Sequence, residues 1–182
     1  MYLLVAAAVL MGPTACGSDD SDTDEPAATK ATSAGVVGDN DQKQKPAAVG
    51  DTITIVTKET TLKVTVLGVV DPVELGGIDG AEAGKRFAGV RVALQNVGAK
   101  PYTGTPIGEA VLTDSDREEH DGGTLVESEC GGTFASDPQV APGARKEGCI
   151  PYELDKGAEP MTFEFAGRDG FGPATAEWRL TE

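Results

Sequence analysis

The side chains best suited to chemistry crowd into one short stretch, DSDREEHDGG, residues 114–123. Five carboxylates there surround His120, the only histidine in the chain. Calcium is the sharpest reading, because hard cations bind several carboxylate oxygens at once. In an EF-hand frame, Asp114, Asp116 and Glu118 fall at the first, third and fifth positions. The frame then fails. Glu119 stands where the sharp turn requires glycine, and Leu125 stands where the bidentate glutamate belongs. A solvated hairpin tip is therefore expected, with no metal ligand assigned. A calcium or small-ligand sensor using residues 114–121 is kept as the alternative. A single histidine also confines hydrolytic triads to arrangements around His120, and no serine or cysteine motif accompanies it. GVVGDN and GIDGAEAG lack the lysine or the strand–turn–helix setting of a phosphate loop. No catalytic residue and no cofactor are expected, and the chain reads as a binding protein, not an enzyme.

The other reactive side chains are three cysteines, Cys16, Cys130 and Cys149. Cys16 follows an apolar run, YLLVAAAVLM, residues 2–11, that is too short to span a bilayer, which needs about 20 such residues. The run has the length of a signal-peptide core, and small residues follow it in GPTAC. This resembles a bacterial lipoprotein signal, with Thr14 and Ala15 as the small residues before the cysteine. The resemblance implies cleavage before Cys16 and a lipid on its sulfur. Pro13 stands where such signals usually carry leucine, and no Lys or Arg precedes the run. An ordinary secretory signal or a buried apolar N-terminus are the other readings. An exported chain meets an oxidising environment, where Cys130 and Cys149 are expected to pair. Closing that loop is worth about 3 kcal/mol in a chain-entropy account. A metal site lacks nearby partner ligands, and the redox Cys-x-x-Cys spacing is absent.

Charge sets the surroundings of these groups. Against 15 Lys and Arg stand 30 Asp and Glu, a net charge of −15 over 182 residues. Such a polyanion is a poor partner for nucleic acid, and an anionic lipid surface repels it. From Gly17 to about Gly50 the chain is rich in Ala, Asp, Ser, Thr, Gly and Pro. It has too few large apolar residues to offset the entropy of ordering, so residues 16–50 are expected to be a disordered acidic linker. As a coil it would reach roughly 30 Å, enough to hold a domain clear of lipid headgroups.

Past Gly50 the apolar residues fall into period two. Ile53 and Ile55 share one face of DTITIVT, and Leu62, Val64 and Val66 share one face of TTLKVTVLGVV. Ala88, Val90, Val92 and Leu94 do the same in RFAGVRVALQN, as do Met161, Phe163 and Phe165 in MTFEF and Trp178 and Leu180 in AEWRL. Alternation of this kind marks strands with one face in a core. Several such strands at short spacing predict an all-β, antiparallel sandwich over residues 51–182. NVGAKPY and APGARKEG supply turn residues. Pro151 interrupts CIPYEL, so its strand is expected at an edge or at a bulge.

RFAGVRVALQNVGAKPY is similar to the F-x-x-V-x-V-x-x-x-N-x-G core of the domain-of-unknown-function 4352 family. AVLTDSDREEH resembles that family's next strand and turn, and VAPGARKEGCIPYEL its Pro-Gly turn and following strand. The resemblance covers roughly residues 51–182. It implies an immunoglobulin-like β sandwich of the kind found on bacterial secreted proteins and lipoproteins, with no catalytic residues to carry over. Within it, Asn96 and Gly98 are read as a turn requirement. The expected whole is a signal peptide at residues 1–15, the linker, and the sandwich. The expected location is the extracytoplasmic face of the cell membrane, through a lipid on Cys16. Its expected partners are the membrane itself and an envelope protein. Exposed sheet edges, the one holding Pro151 among them, are the docking surfaces such a fold suggests.

Overall fold

Alternating Ile, Val and Thr residues have little choice but to pair when their apolar faces are excluded from water. The computed structural model describes residues 33–37, 45–74, 80–124, 129–134, 138–167 and 175–181, and every element in them is a strand. The signal segment and Cys16 lie outside the described residues. One sheet contains β1 (Ser33–Val37), β3 (Thr52–Val56), β4 (Thr61–Val70), β5 (Lys85–Asn96) and β8 (Arg145–Asp155), in the order β1-β3-β4-β5-β8. The other contains β2 (Ala47–Ala48), β6 (Ala110–Asp114), β7 (Glu119–Asp121), β9 (Pro160–Ala166) and β10 (Thr175–Arg179), in the order β2-β10-β9-β6-β7. The body of each sheet is antiparallel, and the all-β sandwich is as expected.

The two sheets share one core. Ile53, Ile55, Leu62, Val64, Val66, Ala88, Val90, Val92 and Leu94 are all fully or almost fully buried, as the alternation requires. Phe163, Phe165 and Trp178 meet them from the opposite sheet. The Phe163 and Trp178 rings lie 5.9 Å apart at 54°, a tilted arrangement that suits two aromatic quadrupoles. The Trp178 indole N–H donates to the Asp51 carbonyl at 3.1 Å, so the largest core side chain leaves no polar atom unpaired.

Two features depart from the expected organisation. The stretch assigned to the linker, residues 16–50, supplies β1 and β2, so the ordered domain starts before residue 51. Both strands add to sheet edges in parallel, β1 on β3 and β2 on β10. Main-chain pairing orders them, with Ala47 the buried side chain that β2 contributes. Such pairing leaves no apolar alternation to read. The Asn96–Gly98 turn has a different cause from the one expected. Gly98 is not in the left-handed region; instead, a Cβ there would meet the Thr61 amide nitrogen at 2.8 Å. Asn96 is completely buried and fully bonded. Its Oδ1 accepts from the Gly98 N–H and the Thr60 hydroxyl, while Nδ2 donates to the carbonyls of Lys100 and Val140. Gly143, by contrast, does need its φ of 78° in the Ala141–Ala144 turn, where its amide bonds to Asn96 O at 2.8 Å.

Candidate functional site

The acidic stretch forms the β6–β7 hairpin, and its shape follows from Asp114. One carboxylate oxygen of Asp114 accepts from the Asp116 and Glu118 amides, both at 2.9 Å. The other lies 2.8 Å from His120 Nε2. Arg117, at φ 68°, completes the reversal, and its amide donates to Asp114 O. Burial works to raise the Asp114 carboxyl, but the His120 bond and the two amides outweigh it and hold the group below its ordinary range. Asp114, Glu118 and His120 each bring one potential ligand atom within 4.8 Å of the others. Yet both Asp114 oxygens already accept hydrogen bonds, so a cation would have to take one from His120 or from the turn itself. The hairpin tip is built as a turn first.

Cys130 and Cys149 form a disulfide. Its position is not the one that an immunoglobulin-like fold suggests. Cys149 pairs with Arg91 and lies on the face of the β5–β8 pair opposite to Val90, Val92, Ile150 and Tyr152. The bridge therefore sits outside the main core, in a small cluster with Val73, Val70 and Phe87. Gly89 is the floor of this cluster. A Cβ at Gly89 would stand 2.6 and 2.7 Å from the two sulfurs and 2.9 Å from Val73 Cγ2. That glycine interrupts the outward-facing series of β5, the one sequence signal that could have pointed to the cluster.

The Pro151 edge, expected as a docking surface, is occupied. β8 is at an edge, as its proline predicted, but the Cys149 amide donates outward to Gly132 O at 3.0 Å. Two residues on, Pro151 presents the same side, so its missing N–H costs no ladder bond. Its carbonyl accepts from the Gly123 amide at 2.8 Å. The disulfide thus pins residues 129–134 along this edge and closes it.

Sequence reading missed two polar features. Glu109 is 2 % exposed; it accepts from the Tyr102 hydroxyl at 2.8 Å and the Thr105 amide at 3.1 Å, beside a recess of about 140 Å³. Nothing in the GEAVL segment sets this glutamate apart from the other acidic residues. Arg86 forms a bidentate pair with Asp71, at 2.7 and 2.6 Å, and also donates to the carbonyls of Asp155 and Ala158. This pair ties the β4–β5 connection to the β8–β9 turn. The hydrogen bond to Asp71 is the main reason that the Arg86 guanidinium is held above its ordinary value. A wider groove of about 490 Å³, bounded by Lys45, Val49, Asp51, Arg179 and Thr181, lies where residues 45–51 meet the end of β10.

A family profile described as a domain of unknown function, DUF4352, matches residues 48–175. The chain belongs to this family. The DUF4352 domain is similar in fold to a secreted protein from Mycobacterium tuberculosis, MPT63, with a TM-score of 0.55 and 13% identity, over 75% of this chain and 99% of that one. It is also similar to the yjhA protein from Bacillus subtilis, with a TM-score of 0.50 and 16% identity, over 74% and 99% of the two chains. Comparison with curated proteins gives no significant match.

Proposed function

We propose that this DUF4352 domain is a lipid-anchored, extracytoplasmic binding or envelope-assembly module, held at the membrane through Cys16. The observation that carries the reading is the Cys130–Cys149 disulfide with Gly89 beneath it. A bridge packed into its own apolar cluster belongs to a chain that matures in an oxidising compartment. The fold likeness to a secreted protein supports the same location. The polar side chains support binding over catalysis, since His120 and Asp114 hold a turn together. Mass spectrometry of protein extracted from the membrane fraction should find Cys16 diacylated, and an unmodified Cys16 would refute the anchor. Crosslinking on intact cells should then capture an envelope protein.

The Asp114, Glu118 and His120 cluster supports a second reading, a cation sensor. The two separate in one experiment. A binding module melts at the same temperature with and without millimolar calcium, whereas a sensor shows a rise that grows with concentration.

A further inference from the structure

A sheet edge left open is a template for another strand, and natural sandwiches blunt their edges. Three of the four edges here are blunted among the described residues. β8 carries Pro151 and is covered by Gly123 and Gly132. β7 is three residues long and reads Glu-His-Asp. β2 has two residues. The fourth edge is β1, and beneath it lies β3, TITIV, which has no charge and no proline. β3 pairs with β4 without a bulge from Thr52↔Thr65 to Val56↔Thr61, and Ile53 and Ile55 are locked in the core. Removing β1 would leave β3 intact as a straight five-residue edge.

β1 is held differently from the strands of the body. Ser33 and Val36 are exposed and Gly35 is half-buried, so none of the three anchors it in the core. Its register on β3 slips between Ser33 and Gly35. It also belongs to a stretch whose composition alone would leave it unordered. Its strand partner is β3, and an identical segment from another molecule would make identical pairs. Exchange of one element between copies costs few contacts, because those broken are remade.

We propose that β1 is an exchangeable strand, and that the β3 edge accepts Ser33–Val37 from a second copy of the chain, in parallel and in the same register. Val36 and Thr54 are register partners, which makes the exchange readable. One full-length chain carries Val36→Cys and another carries Thr54→Cys. They are mixed at increasing concentration, oxidised, and the crosslinked peptides are identified by mass spectrometry. The proposal expects a peptide joining position 36 of one copy to position 54 of the other, with a yield that rises with concentration and exceeds that of the 36–36 product. A chain carrying both substitutions should close internally and no longer enter mixed crosslinks. Absence of the 36–54 product from the mixture of the two single variants, when the double variant does close internally, overturns the exchange. A mixture in which 36–36 predominates overturns it in favour of edge-to-edge contact. Failure of the double variant to close at all overturns the β1–β3 pairing on which the proposal stands.

Discussion

Three buried polar side chains show how one residue can be either indispensable or a burden. Asn96 spends all four of its side-chain bonds inside the protein, two as acceptor and two as donor. Asn96→Ala should lower stability by about 2–3 kcal/mol in urea titration, because it removes four buried side-chain bonds. It takes from the Thr60 hydroxyl and the Lys100 carbonyl their partner, while Val140 O and the Gly98 N–H keep their bonds to Tyr102 and Thr61. Asn96→Asp should be worse, since a carboxylate would face the Lys100 and Val140 carbonyls. Tyr152 is the opposite case: completely buried, with a hydroxyl that has no hydrogen-bond partner among the described residues. Burial, then the nearby Asp121 charge, push that phenol well above its ordinary value and keep it neutral. Tyr152→Phe should therefore be neutral or should stabilise by up to about 1 kcal/mol. Asp114 gives a pH dependence. A carboxyl held low in the folded state stabilises the fold above the unfolded value of about 3.9, and that contribution is lost as pH falls through the lower folded value. Asp114→Asn should flatten the stability profile below about pH 4 relative to the parent, as read by urea titrations across an acid series.

Among the elements, the disulfide and β5 form a unit. Gly89→Ala places a methyl group against both sulfurs and Val73, and these contacts cannot all relax. It should cost about 1–3 kcal/mol in the oxidised protein. Paired with Cys130→Ala and Cys149→Ala, the same change should cost clearly less, so a double-mutant cycle would show coupling between Gly89 and the bridge. Additive effects would mean that Gly89 has some other purpose. The strands themselves were legible because alternation is a direct consequence of a sheet with one wet face. Leu62, Val64 and Val66, or Phe163 and Phe165, needed no further context. β1 and β2 were not legible, because backbone pairing on an edge leaves no apolar period behind. Pro151 announced an edge but could not announce that residues 123 and 132 would cover it. Cys130 and Cys149 announced a bridge but not the face on which it lies, since that depends on the parity of β8.

At the scale of the molecule, the excess of acid is an unfavourable electrostatic term. The chain carries a net charge of −15; the share of it on the sandwich repels itself, and added salt screens that repulsion. The melting temperature should rise from low salt to about 0.5 M sodium chloride, with little dependence on the cation chosen. A rise specific to calcium would point back to the hairpin tip. The Arg86–Asp71 pair offsets the excess locally by joining the β4–β5 connection to the β8–β9 turn. Glu109, nearly invisible in an acidic sequence, became recognisable only when Tyr102 and Thr105 were seen to enclose it.

The order in which the chain meets its two sheets has a mechanical result. Ser33–Val37 and Ala47–Ala48 both come before β3, so a pull on the N-terminal end strains these two edge pairs ahead of any strand in the core. Peeled away and fully extended, residues 33–46 would span at most about 45–50 Å, at roughly 3.3–3.6 Å per residue, while the sandwich stays whole.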